Sequence, residues 1–137
     1  GIEVECAVLE INGSPEASIV GSISIDPKFE FYDFEAKYLD GATDIELPAP
    51  ITATSAEAIR KAAIAAFTAL GCSGLARVDF FLTNSGQVII NELNTMPGFT
   101  STSVFPKMWA ASGVSYTEVI SHLLQSAQAR TNGPLGN

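Results

Sequence analysis

The chain has 137 residues, 47% of them hydrophobic and 16% charged, with a formal net charge of −8. That length accommodates one domain with a real core, and the apolar content excludes a disordered chain. The acidic balance argues against a nucleic-acid or anionic-membrane surface, which needs clustered Lys and Arg, but permits a nucleotide whose phosphates are neutralised by a metal ion.

Residues 3–11 (EVECAVLEI) have strand character, Asn12-Gly13-Ser14-Pro15 is a turn signal, and residues 17–26 are β-branched and roughly alternating. Together they read as an antiparallel hairpin with a longer loop. Residues 29–34 (FEFYDF) read as another strand or as the approach to a loop. Residues 35–50 have no sustained period and contain Gly41, Pro48 and Pro50. A loop of about sixteen residues inside a domain tends to be functional, with a plain surface connection as the alternative.

Residues 54–70 form the clearest helix. Thr54-Ser55-Ala56-Glu57 fits a capping box, Ile59, Ala62, Ala63, Ala66, Phe67 and Leu70 make one apolar stripe, and Gly71 is placed to end it. Residues 75–82 and 87–93 flank Thr83-Asn84-Ser85-Gly86 and read as a second hairpin. Residues 94–106 form a loop rich in small and hydroxyl side chains. A second helix is expected near residues 116–129, with Tyr116, Val119, Ile120, Leu123, Leu124 and Ala127 on one face. Residues 130–137 read as a loose tail. The pattern is that of an α+β domain over residues 1–129, a mainly antiparallel sheet flanked by helices.

Cys6 and Cys72 are too few for a disulfide framework, so a reduced, cytoplasmic setting is expected. No stretch approaches the roughly 18 apolar residues of a membrane span, and no signal peptide is visible. The chain opens at Gly1 without Met and runs at once into a strand pattern. It therefore reads as a piece of a longer protein.

Centring the second hairpin on Ser85-Gly86 places Asp79 opposite Glu92 and Arg77 opposite Asn94. Period two then puts Arg77, Asp79 and Phe81 on the face shared by Glu92 and Asn94. Two carboxylates facing each other across a hairpin repel, and a divalent cation would compensate. Two carboxylates and an amide are hard oxygen donors, suited to Mg²⁺ or Mn²⁺ rather than Zn²⁺. Arg77 beside them is suited to a phosphate, which makes the set a phosphoryl-transfer arrangement. The same residues read alternatively as a solvent-facing polar strand face on which Arg77 neutralises one acid. A one-residue slip would separate the two acids.

Four blocks, in order, are GIEVEC (1–6), FYDFEAKY (31–38), GCSGLARVD (71–79) and NELNTMPGFT (91–100). With them the chain resembles the C-terminal part of the D-alanine–D-alanine ligases, in the ATP-grasp superfamily, over about residues 1–129. The resemblance implies an ATP-grasp C-terminal domain and a dipeptide ligase that proceeds through an acyl phosphate. It implies that Asp79, Glu92 and Asn94 hold two Mg²⁺ ions on the ATP phosphates and that Arg77 stabilises the transferring phosphoryl group and the tetrahedral intermediate. Glu3 would bind the ribose hydroxyls, and Phe81 would floor the adenine pocket, a position that reads equally as core. Lys37 would contact a phosphate and Tyr38 would close the acceptor side of a mobile loop. The Gly98 amide would lie near the oxyanion, and the Ser103 hydroxyl, with Ser101 as a lesser substitute, would hold the second D-alanine's carboxylate.

ATP and D-alanine are the partners so implied, with no nucleic acid, no membrane and a homodimeric parent. The glycine-rich phosphate loop and the domain for the first D-alanine are not in this sequence, so the chain alone is expected to be inactive. A D-alanine–D-lactate or D-serine ligase is the nearest rival, and Glu35-Ala36-Lys37-Tyr38 favours the dipeptide enzyme. A non-catalytic module would be expected to lose one of Arg77, Asp79, Glu92 or Asn94, and none is lost. His122, Cys6 and Cys72 receive no role.

Overall fold

Asn12 and Gly13 both take positive φ, 52° and 82°, in a computed structural model of the chain that describes residues 1–25 and 43–130. Asn-Gly tolerates that conformation at both central positions of a two-residue hairpin turn, whose twist matches the flanking strands. Strands β1 (Ile2–Ile11) and β2 (Ser14–Ile25) therefore meet at a tight turn, and the longer loop expected there does not form. Ser14 and Pro15 are already paired, with Ile11 and Glu10.

The second hairpin consists of β4 (Leu75–Leu82) and β5 (Val88–Asn94), and β4 pairs with β1. A short strand β3 (Thr43–Glu46) lies inside the span read as loop and pairs with Ser22–Ile25 of β2. Four residues carry too little alternation to show in the sequence, and β3 exists through its partner. The sheet is antiparallel throughout, in the order β3-β2-β1-β4-β5.

Helix α1 (Ala53–Ala69) buries Ile59, Ala63 and Phe67, as its stripe required. Its cap is Thr52 rather than Thr54, with the Thr52 hydroxyl accepting from the Ser55 N–H at 3.1 Å. Helix α2 (Val104–Ala111) begins within the segment read as loop. It has only eight residues, too few to display a period, and its Pro106 falls in the first turn, where no intrahelical N–H is needed. Helix α3 (Tyr116–Ala129) starts from a Ser115/Glu118 capping box.

The helices cover the two sheet faces unequally. Against α1 lie Val4, Cys6 and Val8 of β1 and Ala76, Val78, Phe80 and Leu82 of β4, all buried. On the opposite face Ala7 and Leu9 of β1 meet Phe105, Met108 and Trp109 of α2 and Val119 of α3. Fully burying side chains such as Phe67, Phe80 and Phe105 stabilises the fold by about 1.5–3 kcal/mol each. This second apolar patch occupies only part of its face. Farther along the same strands, that face carries Glu3, Glu5, Asp79 and Arg77.

A β-bulge in β2, opposite Ala7, fastens both helical layers to the sheet. The Ser18 hydroxyl accepts from the Ala7 N–H (3.0 Å) and donates to the Ile19 carbonyl (2.7 Å). From α1, Arg60 donates to the Ala17 and Ser18 carbonyls at 3.0 and 3.2 Å. From the end of α2, the Ser112 hydroxyl accepts from the Ile19 N–H at 2.9 Å.

Candidate active site

Three strands build the site in rows. Glu92 of β5 is paired with Asp79 of β4, and Asp79 with Glu5 of β1, so three carboxylates stand side by side across the sheet. The next row is Asn94, Arg77 and Ala7, and the row on the other side is Ile89, Phe81 and Glu3. The pairing of Asp79 with Glu92 and of Arg77 with Asn94 is the one read from the sequence. Neighbouring strands lie about 4.8 Å apart, so carboxylates in one row repel unless a cation lies among them.

Arg77 supplies the first positive charge. Its Nε and Nη2 donate to the two Asp79 carboxylate oxygens at 2.8 and 3.0 Å, a bidentate, charge-assisted pair. Its Nε is also 3.5 Å from Glu5 Oε2, and its Nη2 is 3.9 Å from Glu92 Oε1. Glu5 and Asp79 are fully buried and Arg77 is 9% exposed, whereas the Glu92 side chain is about half exposed. The exposed side of the cluster thus lies toward β5. Across from Arg77, Ala7 offers only a methyl group, which leaves space for the guanidinium to lie along the face.

Beyond Asp79, Phe81 is 44% exposed, so the core reading of that residue gives way to an apolar platform open to the cleft. It lines a hollow with Gly1, Ile2, Glu3, Leu82, Thr83 and Asn84. Gly98 and Ser103 lie at the other end, in the loop after β5. The Asn94 side-chain oxygen accepts from the Met96 N–H at 2.9 Å and so starts that loop. The Ser103 hydroxyl accepts from the Thr100 N–H (3.0 Å) and is 2.7 Å from Thr100 Oγ1. Tyr116 of α3 donates to the Phe99 carbonyl at 2.7 Å, with its ring against Phe99. Lys37 and Tyr38, together with residues 131–137 of the expected tail, lie outside the described residues.

Sequence reasoning missed Glu5. Its only signal was the alternation Glu3, Glu5, Ala7, Leu9, one face changing from polar to apolar along β1. Cys6 points to the α1 side, where burial pushes its thiol up to about 12. His122 and Cys72 take no part in the cluster.

The donors that could hold a cation are the Asp79 and Glu92 carboxylates and the Asn94 amide oxygen, all hard oxygens of the type Mg²⁺ takes. Among the described residues no three His, Cys, Asp or Glu side chains converge on one point.

Solved structures share this architecture. A D-alanine–D-alanine ligase from Coxiella burnetii superposes with a TM-score of 0.76 at 38% identity, over 93% of this chain and 32% of its own. The VanG D-Ala:D-Ser ligase from Enterococcus faecalis gives 0.76 at 40% identity, over 91% and 36%. A Bacillus anthracis D-alanine–D-alanine ligase complexed with ATP gives 0.73 at 27%, over 93% and 38%. The fold is thus the C-terminal domain of an ATP-grasp protein.

A family model described as D-ala D-ala ligase C-terminus matches residues 1–125. D-alanine–D-alanine ligases of Streptomyces griseus (48% identical over 133 residues) and Frankia casuarinae (53% over 129) align with 97% and 93% of this chain. The chain belongs to the D-ala D-ala ligase C-terminus family. It spans about a third, 34%, of the length of these relatives.

Proposed function

We propose that the chain is the metal- and phosphate-binding lobe of an ATP-dependent D-alanine–D-alanine ligase. The observation that carries this reading is the pairing of the half-exposed Glu92 with the fully buried Asp79, to which Arg77 is bound bidentately. A plain polar strand face does not require a fully buried carboxylate.

In this reading ATP phosphorylates the carboxylate of one D-alanine, and the amine of a second displaces phosphate from the acyl phosphate to form the dipeptide. Asp79, Glu92 and Asn94 would hold two Mg²⁺ ions, with Mn²⁺ an acceptable substitute. When bound, the metal neutralises developing charge on the phosphate oxygens. Arg77, already oriented by Asp79, stabilises charge on the transferring phosphoryl group and the tetrahedral intermediate. Glu3 takes the ribose hydroxyls, Phe81 floors the adenine, the Gly98 amide faces the oxyanion, and Ser103 binds the acceptor carboxylate. Lys37 and Tyr38 would close the site and keep water from the acyl phosphate. A cytoplasmic, homodimeric whole enzyme supplying peptidoglycan precursors accompanies this reading. No helix among the described residues is long and apolar enough to cross a membrane.

The test is D-alanine-dependent phosphate release from ATP by the whole protein that carries this chain. Activity is expected to need Mg²⁺ and to fall at least about 10³-fold in Asp79→Asn and Glu92→Gln. Absence of D-alanine-dependent release from the parent would refute the proposal. Because VanG is a D-Ala:D-Ser ligase, D-serine and D-lactate are assayed beside D-alanine as acceptors. D-alanine is expected to be preferred.

A further inference from the structure

Among the described residues, Glu5 is the one fully buried carboxylate of this face to which the proposed chemistry gives no task. Burying a carboxylate is expensive, and the alternation that carries Ala7 and Leu9 into the core would have accepted an apolar residue at this position. Glu5 stands opposite Asp79 in the β1–β4 ladder, and its Oε2 is 3.5 Å from the Arg77 Nε that Asp79 also engages. Arg77 is therefore approached by carboxylates from its own strand and from both neighbours, with Glu5 nearer at 3.5 Å than the half-exposed Glu92 at 3.9 Å. A single bidentate pair lets a guanidinium rock with its partner's carboxylate. A second acid from another strand fixes the remaining direction.

We propose that Glu5 is a positioning residue for Arg77, aiming its guanidinium at the phosphoryl group in transit. This rests on the ligase reading above. Glu5 touches neither substrate nor metal in this assignment. It acts through Arg77, whose role is exercised in the transition state, so its loss lowers turnover while leaving ground-state nucleotide binding in place. Misplacement of a catalytic group by about 1 Å costs on the order of 10²-fold in rate.

The experiment is a double-mutant cycle in the whole protein, with Glu5→Gln, Arg77→Lys and the pair. Glu5→Gln is expected to lower kcat by roughly 10- to 100-fold with the KM for ATP within about threefold. In the Arg77→Lys background the same change is expected to alter kcat by less than about threefold, because a lysine has no planar fork to orient. The proposal is overturned if Glu5→Gln keeps parental kcat, if its effect appears in the KM for ATP, or if it costs the same factor in both backgrounds. Should Glu5→Gln not fold, Glu5→Asp keeps the charge and withdraws it by one methylene, and the same split between kcat and KM is read. The ¹⁵N resonance of the Arg77 Nε–H gives a second readout. Its shift is expected to move and its water exchange to quicken in the Glu5 variant, with the Asp79 hydrogen bond still in place, and an unchanged signal overturns the proposal. A parent without ligase activity defeats the ligase reading, and the resonance still shows whether Glu5 holds the guanidinium.

Discussion

Replacing Arg77 with Met tests the electrostatics of the site apart from its chemistry. Methionine keeps much of the volume and removes the cation. The change strips Asp79 of two hydrogen bonds, at 2.8 and 3.0 Å, and removes the guanidinium 3.5 Å from Glu5, while both acids stay buried. Breaking a buried pair by deleting one partner costs about 3–5 kcal/mol. At about 1.4 kcal/mol per factor of ten, protected amides of β1 and β4 should exchange roughly 10²- to 10⁴-fold faster. Hydrogen exchange read by mass spectrometry on peptides from those strands measures this locally, whatever domains accompany the lobe. Arg77→Met with Asp79→Asn should recover at least about half of the loss, because one uncompensated charge is gone. Acceleration below about tenfold in the single variant, or no recovery in the double, would refute the reasoning.

Other expectations follow from single contacts. A Cβ at Gly98 would sit 3.1 Å from Ser103 Oγ, so Gly98→Ala should raise the KM for the acceptor amino acid about tenfold in steady-state assays while sparing the KM for ATP. At Gly21 a Cβ would lie 2.5 Å from Ile45 Cδ1 and 2.9 Å from Leu47 Cδ2, so Gly21→Ala should destabilise the β2–β3 edge by about 1–3 kcal/mol, read as faster exchange there. Cys6, buried and pushed up to about 12, should resist a thiol reagent at pH 8 that labels Cys72, with both labelled after denaturation. The Cys6 thiol ordinarily titrates near 9, so below pH 9 both states keep the proton. Between about 9 and 12 only the unfolded chain loses it, so stability should fall as pH rises through that window in alkaline melts.

The pairing of Asp79 with Glu92 was legible, for a reason more indirect than simple counting. The turn is centred on Ser85 alone rather than on Ser85-Gly86, since Thr83 donates to the Gln87 carbonyl at 3.0 Å and Leu82 pairs with Val88. That alone would displace the acids by one position. The extra residue Asn91, between the Phe80–Ile90 and Asp79–Glu92 pairs, forms a bulge that restores the register. The uneven apolar spacing Val88, Ile90, Leu93 was its trace in the sequence. Helix α1 and helix α3 were visible because each runs several turns with one apolar face. The polar neighbourhood of Arg77 was half visible. Its own hairpin is local, whereas Glu5 reaches it only through the β1–β4 pairing, a contact across some seventy residues that no local period encodes. Strand β3 and helix α2 were hidden for the same reason, being short and defined by what they pack against.

The site's parts hang on different supports. Arg77, Asp79 and Glu5 stand on two interior strands, β1 and β4, whose opposite face is packed against α1. Residues 95–103 are suspended between the outermost strand β5 and the helical pair, steadied by the Tyr116 hydroxyl and the Asn94 amide. Changes in the loop leave the central ladder untouched, and changes in the ladder are felt throughout the core. The architecture is therefore modular under mutation. On the reading proposed here, selectivity for the incoming acceptor can drift by substitutions in one peripheral loop while the phosphate machinery stays fixed. Lineages that exchange one acceptor for another should differ there and in the segment that carries Lys37 and Tyr38, and not in the central ladder.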